Sequence, residues 1–347
     1  MTSPTAAAGP RPATIAKIAD EVGVSMATVS KVLNGRGDVA PDTRIRVEAS
    51  LDRHGYQRRT KRQPASTGMI ELVFHTLGAD WAMEIIRGVE AVTGPAKVAV
   101  VVSQLEGRYR PSDDWLEGVL SRRPIGVLLV MCSLPESQQR QLRRQQIPFV
   151  AVDTDSATTA SVPTVGSNNW NGGLLAARHL LQLGHRNMAV ICGPQNVLCS
   201  QARLAGFRSG HDEFGLTFDQ DLLRYGNFYL QAGYEHGMDL LTRANRPTAI
   251  FAGSDMQAMG VLRAARQLGI EVPAELSVVG YDNLPVAAWT DPALTTVNQP
   301  LGDMAGTATR MLLDLAGGIE PASTRIDLVT ELVVRESTAP ADGSAPR

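Results

Sequence analysis

The stretch "TIAKIADEVGVSMATVSKVLN" (residues 14–34) predicts two short helices joined by a tight turn. Thr14 is an N-cap type of residue, and the apolar residues after it recur at helical spacing, at Ile15, Ile18, Ala19 and Val22. Gly23 ends this helix, and after "GVS" a second one runs from about residue 25 to 33. Two short helices joined by a Gly-containing turn are typical of a helix-turn-helix, whose second helix lies in the major groove of DNA.

The outward side of the second helix carries small or polar side chains and one cation, namely Met26, Ala27, Thr28, Ser30 and Lys31. Small hydroxyl residues let a helix approach the phosphate backbone, and a cation reaches guanine acceptors in the groove. A helical hairpin that merely caps a domain is the alternative. A third helix is predicted in "APDTRIRVEASLDRHGY" (residues 40–56), which opens with Pro and Asp, buries Val47 and Leu51 and ends at Gly55.

The charge distribution favours the DNA-binding interpretation over the inert hairpin. Up to Arg62 the chain has 11 Lys and Arg against 6 Asp and Glu, whereas the remainder has 22 against 29. A basic head therefore precedes an acidic body, a pattern that suits a small polyanion-binding module, although a well-solvated terminus would show it too.

The body alternates buried apolar runs with helical patterns, in two consecutive series. The first series has strand-like runs at residues 69–75, 97–103, 126–132 and 149–153, and the second has them at 187–193, 249–254 and 276–283. Helical patterns lie between these runs. This alternation predicts an α/β body of two doubly wound lobes with parallel sheets. Ligands of such folds bind at the carboxyl ends of the strands, here in the cleft between the lobes.

Several classes of protein are disfavoured. No apolar run reaches the roughly 18 residues of a membrane span, and the start of the chain has no signal-peptide pattern, so a cytoplasmic protein is expected. The three cysteines, Cys132, Cys192 and Cys199, lack metal-type spacing and are predicted to be buried thiols. No catalytic constellation, metal cluster or nucleotide loop occurs, so we expect neither an enzyme nor a cofactor or metal.

The run from residue 14 to 56 resembles the headpiece of the lactose repressor (LacI/GalR) family of bacterial regulators, through "IAKIADEVGVSMATVSKVLN", "TRIRV" and "GY". The resemblance implies that Met26, Ala27 and Lys31 read bases. It places a second set at phosphate-contacting positions, which are Thr14, Ser25, Thr28, Ser30 and Asn34. Among the base-reading residues, Lys31 is the strongest candidate for a guanine contact.

The body is similar to the effector-binding core of the same family, which itself resembles periplasmic sugar-binding proteins. The similarity is carried by "LLQLGHRNMAVICGP", "RLAGF", "AIFAGSDMQAMGVLRAARQLGIEVPAELSVVGYDN" and "DPALTTVNQP". It implies effector contacts by Asp153, Arg203 and Asp282, and ring stacking by Phe228. Ser254 stands where the family commonly has Asn. Trp81, Trp170 and Trp289 either line an elongated saccharide cleft or pack between the lobes, and we include Trp81 and Trp170 among the expected effector contacts.

The predicted division of the chain follows from these patterns. Residues 1–12 and 338–347 are tails, 13–57 form the headpiece, and 58–66 form a basic linker. The core spans residues 67–337, with one lobe at about 67–165 and 295–320, and the other at about 166–292 and 321–337. Glycine and proline near Gly166 and between Pro292 and Pro300 mark the expected crossovers between the lobes.

These observations predict a homodimeric transcriptional repressor that a sugar releases from a pseudo-palindromic operator. Two heads are expected because one head neutralises too few phosphates for tight specific binding. One alternative is a solute-binding protein for transport, which shares the fold of the body. A regulator that responds to a purine or another non-sugar metabolite is the second, and an α/β enzyme is the third.

The linker departs from the family. There, the Tyr that ends the third helix precedes a hinge helix whose Leu wedges into the minor groove. Here "QRRTKRQPAS" follows Tyr56, and Ala65 stands where the wedge would be. Pro64 removes a backbone donor. We therefore expect no intercalating hinge and a smaller operator kink, with Arg58, Arg59 and Arg62 contacting DNA by charge.

Overall fold

The structure, a computed structural model, describes residues 14–33, 39–54, 56, 68–78, 80–154 and 162–341. The predictions for Asn34, for Arg58, Arg59 and Arg62, and for a hinge without a wedge lie outside these residues. Within the described ranges, no helix is long and apolar enough to cross a membrane.

The headpiece consists of three helices, α1 (Ile15–Val22), α2 (Met26–Leu33) and α3 (Pro41–Arg53). The hydroxyl of Thr14 caps α1 by accepting a hydrogen bond from the amide of Lys17, and Gly23 ends α1 with a left-handed φ of 72°. The three helices share one small core that contains Ile18, Ala19, Val22, Val29, Val32, Leu33, Val47 and Leu51. The predicted helix-turn-helix is thus present as a packed unit.

The first lobe contains a six-stranded parallel sheet. In chain order it starts with β1 (Met69–Phe74), α4 (Trp81–Thr93), β2 (Ala99–Gln104), α5 (Asp113–Arg122), β3 (Gly126–Val130), α6 (Glu136–Arg144), β4 (Phe149–Val152) and β5 (Thr164–Ser167). The second lobe follows with α7 (Asn169–Gln182), β6 (Met188–Cys192), α8 (Leu198–Glu213), β7 (Leu223–Tyr225), α9 (Leu230–Leu241), β8 (Ala249–Ala252), α10 (Asp255–Leu268) and β9 (Ser277–Asp282). The chain ends with β10 (Thr295–Asn298), α11 (Leu301–Ala316), β11 (Arg325–Leu328) and β12 (Glu331–Val333).

The strand order is β11-β5-β4-β3-β1-β2 in the first sheet and β12-β10-β9-β8-β6-β7 in the second. All pairings are parallel except that of β10 with β12. Central strands such as β3 and β8 are buried along their whole length, because helices cover both faces of the sheets. The predicted class, two doubly wound α/β lobes behind a helix-turn-helix headpiece, is confirmed.

The predicted lobe boundaries near the C-terminus need correction. β10 was assigned to the first lobe but pairs with β9 of the second. β11 was assigned to the second lobe but pairs with β5 of the first. The number of crossovers is as predicted, but the second and third come later along the chain. The chain returns to the first lobe only after β10, with α11, whose apolar face packs on Ile85 and Leu128, and it crosses back to the second lobe only after β11.

Buried histidines tie the C-terminal segment to the second lobe. His185 is buried, and burial lowers its pKa. Its Nδ1 lies 3.0 Å from Thr248 Oγ1, and its Nε2 lies 3.0 Å from Ser277 Oγ and 3.0 Å from the carbonyl oxygen of Ala339. The ring therefore joins the C-terminal segment to the second lobe by hydrogen bonds.

The neighbouring His179 should make the fold sensitive to acid. Its Nε2 lies 3.0 Å from Thr338 Oγ1, and burial, assisted by His185, lowers its pKa from 6.5 to about 4. At a pH between these two pKa values, His179 is protonated in the unfolded chain and neutral in the folded chain. The free energy of unfolding therefore falls as the pH falls. The test is urea unfolding at pH 7, 5.5 and 4.5. Between pH 7 and pH 4.5, the free energy of unfolding of the wild type should fall by about 1–3 kcal/mol more than that of His179→Gln. Parallel pH profiles of the two proteins would contradict this assignment.

All three cysteines are buried free thiols, as expected. Burial raises the pKa of Cys192 and of Cys199 to about 12, so neither is a reactive thiolate at neutral pH.

Candidate functional site

A cavity of about 720 Å³, part of it open to solvent, lies between the two lobes. Its walls come from segments that follow the carboxyl ends of strands in both sheets, because parallel strands bring these ends to one edge. The predicted effector-contact residues that line it are Trp81, Asp153, Arg203, Phe228, Ser254 and Asp282. Trp170 is not among its lining residues.

Arg203, on α8, is the centre of the polar part of the cavity. It is only 4% exposed. Its Nε donates to Asn169 Oδ1 at 2.8 Å, and its Nη2 donates to Gln299 Oε1 at 2.9 Å. The guanidinium also lies over the ring of Tyr281, with Cζ 3.6 Å from the ring centroid. These contacts hold the guanidinium in one orientation, so little side-chain entropy remains to be lost when a ligand binds.

Two carboxyl groups flank Arg203. Asp282 Oδ1 lies 3.8 Å from Arg203 Nη1, beyond hydrogen-bonding distance. Asp153 Oδ2 accepts from Gln299 Nε2 at 2.8 Å, and its Oδ1 from Asn169 Nδ2 at 3.4 Å. Burial raises the pKa of both carboxyls, and Arg203 opposes the rise. Hydrogen bonds that ligand hydroxyls or N–H groups donate to these two carboxyls would stabilise them.

Gln299 and Asn169 complete this network, and the sequence analysis did not identify either. Each links Arg203 of the second lobe to Asp153 of the first, so the network crosses the cleft. Their positions in the sequence could have indicated them, because both lie at predicted crossovers: Asn169 follows the crossover near Gly166, and Gln299 lies in the crossover between Pro292 and Pro300.

Aromatic rings form the less polar walls. His75 stacks on Tyr109, with centroids 5.0 Å apart and an interplanar angle of 9°, and its centroid is 6.1 Å from that of Trp81. Burial lowers the pKa of His75 to about 4, and its buried Nδ1 has no hydrogen-bond partner among the described residues. Phe228 also lines the cavity, and a Cβ at Gly193 would come within 2.1 Å of its ring, so that position requires glycine.

Ser254 and Asp255, at the start of α10, have different roles. Ser254 is the cap: its Oγ accepts from the amide of Gln257 at 3.1 Å and donates to the carbonyl oxygen of Phe228 at 2.8 Å. Asp255 is instead fully buried and accepts hydrogen bonds from the amide of Leu284 and from Thr296 Oγ1. Burial raises its pKa to about 7. Asp255 thus supports the segment that carries Asp282.

The three tryptophans considered for an elongated cleft occupy different places. Trp81 lines the cavity. Trp170 lines a separate depression together with Asp153, Ser167 and Arg325. Trp289 is 78% exposed and contributes neither to the cavity nor to packing between the lobes.

The outward face of α2 is available to a ligand. Met26, Ala27 and Lys31 are exposed, and Thr28 and Ser30 are half-buried. Ser25 Oγ accepts from the amide of Thr28 at 3.1 Å and therefore caps α2. Thr14, at the start of α1, is also exposed. Among the residues that the structure describes, no group of His, Cys, Asp and Glu side chains could hold a metal ion.

Comparison with known proteins agrees with this architecture. The profile described as "Bacterial regulatory proteins, lacI family" matches residues 14–59, and that described as "Periplasmic binding protein-like domain" matches residues 177–338. The chain is 36% identical to the HTH-type transcriptional regulator MalR of Streptomyces coelicolor, over 96% of this chain and 98% of that regulator. It is 34% identical to the HTH-type transcriptional repressor PurR of Salmonella arizonae, over 94% and 97% of the two chains.

A similar solved structure is that of a complex of the transcriptional regulator CelR with cellobiose. Its TM-score is 0.71 at 31% identity, over 94% of this chain and 99% of that one. A helix-turn-helix headpiece in front of a two-lobed periplasmic-binding-like body defines a class of DNA-binding transcriptional regulators. The chain belongs to the lacI family of bacterial regulatory proteins. The prediction that it is not an enzyme is confirmed by these relatives, which are regulators.

Proposed function

We propose that the chain is a cytoplasmic, homodimeric repressor that a saccharide releases from a pseudo-palindromic operator. The observation that carries the saccharide assignment is the interlobe cavity, in which Arg203 and two half-buried carboxyls, Asp153 and Asp282, lie together with aromatic rings. Carboxylates and guanidinium groups bind adjacent hydroxyls, and aromatic rings pack against the apolar C–H face of a pyranose. The cellobiose bound to CelR supports this assignment.

The effector-contact set proposed for this cavity consists of Trp81, Asp153, Arg203, Phe228, Ser254 and Asp282, to which we add His75 and Gln299. Trp170 is left out of the set because it lines a separate depression. The proposed DNA-contact set keeps the residues assigned from the family resemblance, and two heads of a dimer would present it to the two halves of an operator.

The ligand class can be tested by thermal shift of the full chain with mono-, di- and oligosaccharides and with purine bases. A ligand at 100 times its dissociation constant stabilises the folded state by about 2.7 kcal/mol, which is readily measured. A saccharide that stabilises the wild type, while purines do not, supports the proposal. Stabilisation by purines alone would contradict it.

A purine is the second candidate, and one feature of the cavity favours it. The rings of His75, Tyr109 and Trp81 make a flat stack that suits a planar base as well as a pyranose. The 34% identity to a repressor named PurR points in the same direction.

DNA recognition can be tested by selecting binding sites from random-sequence DNA with the full chain, and by gel shift on the upstream DNA of its own gene. We expect sequence-selective binding to a site with two related halves, which the identified ligand weakens. If the chain binds all sequences equally at moderate salt, the repressor assignment fails.

Lys31→Ala should relax the preference for guanine at one position of each half-site and cost about 1–3 kcal/mol of binding free energy. The side chain is on the exposed face of α2, where a cation reaches the O6 and N7 acceptors of guanine. Repeating the site selection with the variant measures the preference directly. Lys17→Ala, which removes the same charge from α1, is the control and should weaken binding without relaxing any position. Equal weakening on all sequences by Lys31→Ala would make Lys31 a phosphate contact.

A further inference from the structure

The headpiece contacts the first lobe through the last turn of α6. Arg144 Nη2 donates to Asp52 Oδ1 at 2.6 Å and to the carbonyl oxygen of Glu48 at 3.0 Å, both on α3. Gln145 Nε2 donates to the carbonyl oxygen of Leu33, the last residue of α2. We call these residues the head–lobe contact, and Arg140, whose Nε is 3.9 Å from Asp52 Oδ2, extends it.

The burial of Arg144 distinguishes this contact from an ordinary surface ion pair. The side chain of Arg144 is 8% exposed, although α6 is a strongly polar helix. A buried guanidinium is tolerated only when hydrogen bonds replace its lost water, and in this structure Asp52 and the Glu48 carbonyl supply them. Without Asp52, the buried positive charge of Arg144 would have no negative partner in the contact, so the contact depends on the opposite charges of these two residues.

The other end of α6 lies near the effector cavity. Met131, which lines the cavity, directly follows β3, and five residues later α6 begins at Glu136. The helix has nine residues, about 13 Å, and the fully buried Leu142 anchors it in the first lobe. One rigid element therefore joins the lobe that forms a cavity wall to the headpiece.

The contact leaves the recognition face uncovered. It uses α3 and the end of α2, whereas Met26, Ala27 and Lys31 on the outward side of α2 remain exposed. Docking on α6 is therefore compatible with insertion of α2 into a groove. The contact therefore leaves the DNA-binding face of the headpiece accessible.

We infer that the head–lobe contact is an intramolecular docking surface that orients the headpiece for operator binding, with Arg144 and Asp52 as the positioning pair. The inference rests on the proposed function, since it assigns a role in operator binding. The physical reason is entropic: a head held in place loses less freedom when both heads of a dimer engage one operator than a head that only a linker tethers.

Charge reversal tests the pair in the full chain. The variants are Arg144→Asp, Asp52→Arg and the double reversal. The control is Arg310→Asp, which makes the same charge change at an exposed position of α11 in the same lobe. Hydrogen exchange, measured without DNA or ligand, should quicken in α3 and α6 in both single variants and return toward the wild-type rate in the double variant. The control should exchange like the wild type in both helices.

Operator affinity is measured by gel shift, without ligand, on the DNA selected by the wild type. We expect Arg144→Asp to weaken operator binding about tenfold. The operator affinity of the double variant should be no more than about threefold weaker than that of Asp52→Arg. If the wild type binds selectively and both single reversals leave affinity and exchange unchanged, the inference alone is overturned. If the wild type shows no selective DNA binding, the proposed function fails and the inference fails with it.

Discussion

Arg203→Ala should abolish the response to the ligand while leaving operator binding intact. The guanidinium is the only cation among the residues that the structure places in the cavity wall, and it is oriented by hydrogen bonds on three sides. Its removal deletes a donor fork and leaves the half-buried carboxyls of Asp153 and Asp282 without a counter-charge. Truncating one partner of a desolvated charge pair in a binding site costs about 2–5 kcal/mol, so ligand affinity should fall by about 30-fold or more. Calorimetry with the saccharide identified by thermal shift measures this loss.

Two further variants make the result interpretable. Arg203→Lys keeps the charge but loses the planar fork, and should recover only part of the affinity. Arg178→Ala removes an equal charge from an exposed pair with Glu213 in the same lobe, and should leave ligand binding unchanged. Operator affinity without ligand should stay within about threefold of the wild type in all three proteins. An Arg203→Ala protein that the ligand still releases from DNA would refute the central role of Arg203.

Leu51→Ala should have the opposite effect, with loss of operator binding and retention of ligand binding. Leu51 is 1% exposed and packs among Ile18, Val29 and Val47 in the core that the described headpiece helices share. Truncation of a buried Leu costs about 2–5 kcal/mol. So small a domain has little stability in reserve, so the helix-turn-helix should unfold at working temperature. Gel shift and calorimetry on the same preparation measure both functions.

Ile45→Ala is the matched control for this prediction. Ile45 lies on the same helix but is 64% exposed, so its truncation removes a similar volume without opening a cavity. It should bind operator within about threefold of the wild type. If Leu51→Ala also binds operator at wild-type affinity, the headpiece is more stable than its small core suggests, for instance because the head–lobe contact supports it.

Local sequence patterns predicted the long elements well. The apolar runs of β1, β3, β6 and β9 lie within a residue or two of the predicted spans, because these strands are buried on both faces and carry their signal in their own residues. Five strands, namely β5, β7, β10, β11 and β12, were not predicted. They have three or four residues each and include polar runs such as "LRY" and "RIDL", so pairing with a distant neighbour, and not local preference, makes them strands.

In the candidate site, too, some residues could be predicted from the local sequence and others depend on contacts between distant segments. Asp153 and Asp282 follow apolar runs, so the sequence places them at strand ends, where parallel sheets gather polar groups. The family resemblance added Arg203 and Phe228. Gln299 and Asn169 joined the site only through folding, because crossover segments far apart in the chain meet beside Arg203, and the local sequence pattern carries no signal of such contacts. His75 ends the predicted strand at residues 69–75 and so had the same strand-end signal as Asp153, but it was not identified.

By itself, the sequence determined the class of the protein: the headpiece helices, the two α/β series and the carboxylates at strand ends are all encoded in short-range patterns of burial and charge. Only the tertiary structure decided which lobe owns β10 and β11, which tryptophan lines the cavity, and that Arg144 docks the headpiece. These features depend on contacts between residues tens to hundreds of positions apart, as in the pair of Arg144 with Asp52, and chain connectivity alone does not specify such contacts. Their energies arise from burial and from hydrogen bonds that exist only once the lobes have formed.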